Sequence, residues 1–236
     1  MPLALVPPRR PRLENFIAGP NRSLLATLEQ AAGDAQWYLL CGPEGSGKSH
    51  LAGALEHAWT GRGVRVMFIS LHLDHGRTLL GHAADQSDVP GAAIVDGIEQ
   101  LVGDQSAERA LFNALNRWRA VRCTVLMTAR SVPDYRLPDL NSRIAQAARL
   151  NLRPLRDQDL AALVTRLLLD HGLVAGRGLG AYLLRYGPRA PQRMVALFEE
   201  MARRSAAERR PVTVRLARES LIALGWLKSR SASATE

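Results

Sequence analysis

Short apolar runs alternate along the first two thirds of the chain with segments in which apolar residues recur every three or four positions. Four runs are predicted as strands, at residues 37–41, 64–70, 91–96 and 123–128. They are apolar almost throughout, which indicates strands buried on both faces. Helices are predicted at 21–32 and 48–60. This alternation predicts an α/β fold, with a parallel sheet covered by helices on both faces.

The strand pattern stops near residue 154, and the remainder is predicted to be a small helical domain. Helical spacing recurs at 157–171, 179–186, 191–204 and 213–224. The first 14 residues contain four prolines and predict an extended arm, whereas 228–236 are small, polar and predicted to fray. The predicted organisation is an arm (1–14), an α/β domain (15–154), a helical domain (155–227) and a tail (228–236).

Composition narrows the class of protein. Of 236 residues, 47% are hydrophobic and 22% charged, which is typical of a globular chain. No apolar run approaches the ~20 residues of a membrane helix, and the N-terminus does not resemble a signal peptide, so we expect a cytoplasmic protein without a membrane partner. Cys41 and Cys123 each belong to a predicted buried strand, which favours reduced thiols over a disulfide or metal site.

The charge is strongly positive and is carried almost entirely by arginine. Against 31 basic residues the chain has 22 acidic ones, a net charge of +9 that favours polyanionic partners or acidic protein surfaces. Lys48 and Lys228 are the only lysines. A lysine at position 48 therefore indicates a specific chemical requirement.

The strongest motif lies between the predicted strand 37–41 and the predicted helix 48–60. Residues 42–49 read Gly-Pro-Glu-Gly-Ser-Gly-Lys-Ser and match the P-loop pattern G-x-x-x-x-G-K-[ST]. In such a loop backbone N–H groups surround phosphates, the lysine reaches the β and γ oxygens, and the serine ligates Mg²⁺. The alternative, a chance glycine-rich turn, is disfavoured by the strand–loop–helix context. The predicted phosphate-binding residues are Gly42, Gly45, Ser46, Gly47, Lys48, Ser49 and His50.

A second predicted ligand of the metal follows another strand. The apolar run 92–95 ends in Asp96, and a carboxylate at the end of a strand holds Mg²⁺ in P-loop proteins. Aspartate is also an ordinary turn residue in that position. With the P-loop upstream, we predict Ser49 and Asp96 as the metal-binding pair.

Together these features resemble the AAA+ class, and within it the family of the bacterial replication initiator DnaA and its short homologue Hda, the DnaA regulatory inactivator. The resemblance runs from about Leu13 to Leu224. It rests on residues 15–21 (Asn-Phe-Ile-Ala-Gly-Pro-Asn), the P-loop, 95–99 (Val-Asp-Gly-Ile-Glu) and 137–143 (Leu-Pro-Asp-Leu-Asn-Ser-Arg). It implies an AAA+ domain with a helical lid, which binds ADP or ATP with Mg²⁺.

The resemblance also assigns residues around the nucleotide. It implies that Phe16, Ile17 and Asn21 lie at the adenine, although the same segment could simply cap and staple the first helix. It implies that Thr128, at the end of the fourth strand, faces the γ-phosphate. In the lid, it implies a sensor 2 arginine, with Arg193 as first choice and Arg189 as second.

Two departures from the family pattern indicate slow or absent hydrolysis by this chain alone. AAA+ ATPases usually carry a second acid directly after the strand-end aspartate, and here that residue is Gly97. Glu99 is expected to point elsewhere. The acid that follows the sensor 1 residue in the family is replaced by Ala129.

Arg143 matches the arginine finger that AAA+ proteins offer to the γ-phosphate of a neighbouring subunit. A guanidinium is always charged and spans two oxygens of the transition state. An exposed arginine in this arginine-rich chain could instead be merely solvated. As a finger, Arg143 would be the catalytic contribution of this chain to a partner.

The resemblance to Hda implies two partners, DnaA and the β subunit sliding clamp of DNA polymerase III. Hda proteins begin with a clamp-binding motif of the Gln-Leu-x-Leu-x-Leu kind, and residues 1–5 (Met-Pro-Leu-Ala-Leu) resemble it without the glutamine and one apolar residue. They could equally be an unstructured arm. No helix-turn-helix domain is expected after Leu224, so sequence-specific DNA binding is not expected. Assembly into a homo-oligomer stays open.

Two other functions fit the same motifs. A helicase loader of the DnaC or IstB type would hydrolyse ATP itself and bind single-stranded DNA, and Gly97 counts against it. A DnaA paralogue could instead tether other proteins without promoting hydrolysis. Whether ADP or ATP is the working ligand is not decided by the sequence.

Overall fold

The computed structural model describes residues 10–85 and 90–227. These residues form two compact units, an α/β unit that ends at Pro154 and a helical unit that begins at Leu155. The clamp-motif prediction at 1–5, the greater part of the predicted arm and the predicted tail at 228–236 lie outside the described residues.

The α/β unit is built on five parallel strands in the order β2-β3-β4-β1-β5. The predicted fold class is confirmed. Its elements are α1 (Arg22–Gln30), β1 (Trp37–Cys41), α2 (Lys48–Gly61), β2 (Val66–Ser70), α3 (Gly76–Asp85), β3 (Ala92–Asp96), α4 (Gln105–Ala120), β4 (Thr124–Ala129), α5 (Pro138–Ile144) and β5 (Ala148–Asn151).

Hydrophobic side chains fill both faces of the sheet. Every residue of β1, β3 and β4 is buried, as their unbroken apolar sequences require. Trp118 of α4 belongs to the core cluster on one face, and Trp59 of α2 belongs to the cluster on the other. Cys41 and Cys123 are buried free thiols, and burial raises the pKa of Cys123 to about 12.

The sequence missed one strand and misplaced some boundaries. Strand β5 is a mostly exposed edge strand of four residues, and its sequence Ala-Arg-Leu-Asn carries no apolar run to reveal it. Strand β2 begins at Val66, two residues later than predicted, and β4 continues to Ala129. The side chain of Asn21 does not cap α1.

The end of the predicted arm is part of the α/β unit, which corrects the boundary at residue 14. Residues Leu13–Asn15 form a turn of 3-10 helix, and a β-carbon built at Gly53 of α2 would lie 3.2 Å from the Pro11 ring. Asn15 Oδ1 lies 2.8 Å from His50 Nε2. Prolines oppose regular helix, but they do not prevent this close packing on α2.

The helical unit contains four helices: α6 (Asp157–Asp170), α7 (Leu179–Tyr186), α8 (Pro191–Glu208) and α9 (Val214–Ala223). Their inward faces bury leucines and Phe198. Helix α8 runs four residues further than predicted and ends at Glu208, and the capping residue Arg209 adopts a left-handed φ of 51°. Across residues 10–85 and 90–227, no helix combines the length and the apolar character needed to cross a membrane.

Candidate functional site

The predicted phosphate loop leaves the carboxyl end of β1 and enters α2. Gly45 and Gly47 have φ angles of 71° and 101°, in the left-handed region that favours glycine. At Gly42 a β-carbon would lie 3.1 Å from the Leu152 β-carbon, so a larger residue would push against the chain that follows β5. Left-handed residues that alternate with right-handed ones turn successive backbone N–H groups to one side, the arrangement that cradles phosphates.

Lys48 lies buried beneath this loop. Its Nζ donates hydrogen bonds to the carbonyl oxygens of Gly42 (2.8 Å) and Pro43 (2.9 Å). Burial lowers the pKa of Lys48, and the Glu99 and Asp96 carboxylates oppose that shift. The ammonium is therefore held where bound phosphates could replace the loop carbonyls. The Ser46 Oγ is buried without a hydrogen-bond partner among the described residues.

Asp96 ends β3 and is held by the neighbouring strand. The Thr128 hydroxyl donates to Asp96 Oδ1 at 2.5 Å and accepts a bond from the Gly97 N–H at 2.9 Å. Thr128 is fully buried. In this structure the hydroxyl gives its one proton to Asp96 and so positions that carboxylate, and the contact of Thr128 with a γ-phosphate stays a prediction.

His72 lies on the other side of Asp96 and was not predicted. Its Nε2 is 3.7 Å from Asp96 Oδ2. Gly97 has a φ of 86°, and a β-carbon there would lie only 2.6 Å from His72 Nε2. A histidine two residues beyond a strand carries no recognisable motif, so only the fold reveals that it covers the position of the missing acid.

The expectation that Glu99 points away from the site is wrong. Among the nearby acidic groups, Glu99 acts most strongly on Lys48 and raises its pKa against the effect of burial. Its Oε1 lies 3.5 Å from Arg130 Nε, and its Oε2 is buried without a hydrogen-bond partner among the described residues. Arg130 also approaches Glu44 of the phosphate loop at 3.5 Å. Residues Ile98–Leu101 form a 3-10 helix, and this tight turn brings Glu99 back towards the loop.

The oxygen donors at this end of the sheet fit Mg²⁺. Ser49 is exposed in the first turn of α2, and Asp96 offers a buried carboxylate. Mg²⁺ prefers hard oxygen ligands and usually takes several of them from phosphates and water. Accordingly, the described residues contain no cluster of three or more His, Cys, Asp or Glu side chains that could hold a metal unaided.

The predicted adenine-binding residues divide into two groups. The Phe16 ring packs against Gly47 and stacks on His50, with ring centroids 6.0 Å apart, and burial lowers the pKa of His50. Ile17 is half-buried. The Asn21 amide instead bonds both ways to the Arg153 backbone, accepting from its N–H at 2.7 Å and donating to its carbonyl at 3.0 Å. Asn21 therefore fixes its segment to the chain after β5.

Arg143 is in the last turn of α5, half-buried and without an acidic partner among the described residues. The loop before α5 is fixed by side chains that bond to backbone. Asn141 accepts from the Tyr135 N–H at 2.9 Å, and the Tyr135 hydroxyl donates to the Ile98 carbonyl at 2.9 Å. The fully buried Glu108 accepts from the Leu137 N–H at 3.0 Å. These bonds hold α5 rigidly while the guanidinium keeps its charge unpaired.

The two candidate sensor 2 arginines lie in the helical unit. Arg189 pairs with Asp157 at 2.7 Å. Arg193, in the first turn of α8, lies over the Trp226 ring at 5.7 Å from its centroid. Because Arg189 has an acidic partner within its own unit, Arg193 remains the better candidate.

Comparison with known proteins places the fold. No protein-family model matches the chain. Domain III of DnaA from Thermotoga maritima is similar with a TM-score of 0.76 at 15% identity, over 90% of this chain and 95% of that one. AMPPCP-bound DnaA from Aquifex aeolicus is similar with a TM-score of 0.64 at 19% identity, over 84% and 69%. The RuvB Holliday junction branch migration motor of Thermotoga maritima is similar with a TM-score of 0.69 at 15% identity, over 92% and 72%.

These identities establish the fold alone. The chain therefore has the fold of the AAA+ domains of DnaA and RuvB, a five-stranded parallel sheet with helices.

Proposed function

We propose that this chain is a regulator of chromosome replication initiation of the Hda kind. It binds ADP or ATP with Mg²⁺, docks on the DNA-loaded sliding clamp through its N-terminal residues, and offers Arg143 to ATP-bound DnaA. The finger then stimulates ATP hydrolysis by DnaA, which lowers initiation.

Nucleotide binding is the best supported part of this proposal. Phosphates would engage the loop glycines and the buried Lys48. They would also engage the Ser46 hydroxyl, which has no hydrogen-bond partner among the described residues. Phe16 and His50 form an aromatic surface next to Gly47, which suits a purine base. The similar DnaA of Aquifex aeolicus binds AMPPCP, and an adenine nucleotide is the proposed ligand here.

The proposed regulatory role rests on the position and charge of Arg143. It stands at the end of a helix fixed by Asn141 and Tyr135, and its charge has no acidic partner among the described residues. A finger acting in trans needs both a rigid support and an uncompensated guanidinium. An arginine that only faces solvent needs neither a rigid support nor an uncompensated charge. Position 97, in contrast, has no acid to polarise water in this chain's own site.

ATP turnover measured in three reactions tests the proposal. We expect slow hydrolysis by this chain alone, slow hydrolysis by DnaA alone, and a marked increase when both are present with clamp loaded on DNA. No increase in the third reaction would reject the regulatory role.

One observation favours the alternative of a helicase-loader ATPase of the DnaC or IstB type. The Glu99 carboxylate acts on Lys48, and within residues 10–85 and 90–227 one of its oxygens has no hydrogen-bond partner. Such a group could polarise water in place of an acid at position 97. That function requires rapid ATP turnover by the chain alone, which the Glu99→Gln variant would lose. Slow turnover that Glu99→Gln leaves unchanged would reject it.

A further inference from the structure

A second pocket opens at the amino-terminal edge of the sheet. It encloses about 540 Å³ and lies between the loop before β1, the end of α4 and the start of β5. The P-loop follows the other end of β1. From Trp37 to Cys41 the strand advances four residues of ~3.3 Å each, which separates the pocket from the P-loop by about 13 Å. The pocket is therefore separate from the proposed nucleotide site. It is lined by Asp34, Ala35, Gln36, Trp37, Arg119, Arg122, Gln146, Ala147 and Ala148.

The charged group of this pocket that is not engaged within the described residues is the Arg122 guanidinium, which donates hydrogen bonds. The Asp34 carboxylate is already engaged, since it accepts bonds from the Tyr38 hydroxyl, the Thr124 hydroxyl and the Gln36 N–H. Arg122 has no acidic partner among the residues that the structure describes. A ligand would therefore meet guanidinium N–H groups, which suit an oxyanion.

The apolar side of the pocket is preorganised next to those donors. Arg119 is held over the Trp37 ring, 5.5 Å from its centroid, and also donates to Gln146. These two contacts fix the plane of the guanidinium. Ala147 and Ala148 line the pocket beside Trp37, whose ring is largely buried beneath the Arg119 guanidinium.

The backbone around the pocket is strained. Ala35 and Arg122 have φ angles of 61° and 54°, and they are two of the three non-glycine residues with positive φ in 10–85 and 90–227. Such conformations are costly and concentrate at functional sites. Arg122 has this strained backbone and lines the pocket. A glycine at position 122 would relieve the strain but would remove the guanidinium charge.

We propose that this pocket binds a small molecule in which a carboxylate or phosphate group adjoins a flat apolar part. The oxyanion pairs with Arg122 and Arg119, and the apolar part lies against the two alanines next to the exposed edge of Trp37. The volume falls within the usual range for small-molecule sites, roughly 300 to 1,000 Å³, which favours a small ligand over a macromolecule.

Titration of the full-length protein with phenyl phosphate and with benzoate tests this proposal. Binding is monitored through the NMR signal of the Trp37 indole N–H, which is assigned by its loss in Trp37→Phe. A saturable shift with either probe is expected, and the comparison identifies phosphate or carboxylate as the preferred group. Arg122→Gln should weaken the binding about tenfold or more. Arg109→Ala, which changes an exposed arginine of helix α4 outside the pocket lining, and Lys48→Ala in the P-loop should not change it.

Arg122→Gly supplies a second measurement. It should raise Tm by roughly 2 to 4 °C through relief of the left-handed backbone, and weaken probe binding as Arg122→Gln does. The proposal is overturned if neither probe shifts the Trp37 signal, if both arginine variants bind as wild type does, or if only single-stranded DNA produces the shift.

Discussion

The imidazole of His72 occupies the space that a side chain at position 97 would need. A β-carbon on Gly97 would lie 2.6 Å from His72 Nε2 and 2.8 Å from Cε1. The same imidazole lies 3.7 Å from Asp96 Oδ2. A glycine at 97 and a histidine at 72 therefore form one arrangement, in which the histidine covers the end of β3 where an acid would otherwise stand.

Gly97→Ala should destabilise the protein more than a matched glycine substitution does. Gly103 has nearly the same φ, 87° against 86°, but a β-carbon there meets nothing within 4 Å. Each alanine should cost about 1 to 2 kcal/mol for its left-handed backbone. At Gly97 we expect about 1 kcal/mol more, because His72 must leave Asp96. Urea unfolding measures both losses.

The extra cost at Gly97 should vanish in a His72→Ala background, since the overlapping ring is then absent. This double-mutant cycle isolates the contact. Equal losses for Gly97→Ala and Gly103→Ala in the wild-type background would show that His72 does not restrict position 97.

Lys48→Ala should weaken ADP binding by about a hundredfold or more, because it removes a buried charge from the phosphate site. The fold should survive, since the hydrogen bonds of Lys48 within the described part of the chain go to two loop carbonyls, those of Gly42 and Pro43. Calorimetric titration with ADP measures the effect, and Arg109→Ala is the control for loss of a surface charge. Unchanged ADP affinity in Lys48→Ala would mean that the P-loop does not bind phosphate.

Thr128→Val should weaken ADP and AMPPCP binding by similar factors. The hydroxyl acts through Asp96, which it contacts at 2.5 Å, and not through the terminal phosphate. Loss of this buried bond should also cost about 1 to 3 kcal/mol of unfolding free energy, whereas Thr128→Ser retains the hydroxyl and should lose less. A loss confined to AMPPCP would restore Thr128 as a γ-phosphate contact.

Deletion of residues 1–8 should leave unfolding and ADP binding unchanged. The deletion retains Pro11 and Leu13–Asn15, which pack on α2. Association with the sliding clamp should fall, since the motif resemblance lies within residues 1–5. Pull-down of clamp by the full-length and shortened chains compares them directly, and equal recovery would reject the clamp motif.

The sequence predicted the elements whose patterns are local. The buried strands β1, β3 and β4 are unbroken apolar runs, and the phosphate loop is a contiguous motif, so both were readable without the fold. Strand β5 was missed because an exposed edge strand has no apolar run.

The side-chain contacts that the sequence did not reveal join distant segments. Glu99 faces the P-loop because a 3-10 turn follows Gly97, and spacing from Asp96 alone suggested the opposite. Asn21 bonds to Arg153, 132 residues further along the chain. His72 and Thr128 flank Asp96 only once three strands have paired. Such relationships follow from strand order, which no local pattern encodes.

Arg143→Ala tests the central claim, that this chain supplies an arginine finger to DnaA. A finger acts on the nucleotide of its neighbour, so folding and ADP binding by the variant should match wild type. Arginine fingers supplied in trans are typically worth about 10³ to 10⁵ in rate. The loss should therefore abolish stimulation, and Arg143→Lys should restore little, because an ammonium cannot span two oxygens in a fixed plane.

The deciding measurement is ATP hydrolysis by DnaA in the presence of DNA-loaded clamp and each variant of this chain. Arg136→Ala, an exposed arginine of the preceding loop, serves as the matched control and should stimulate as wild type does. The account predicts that Arg143→Ala gives no stimulation above DnaA with clamp alone. Stimulation by Arg143→Ala equal to wild type would contradict it.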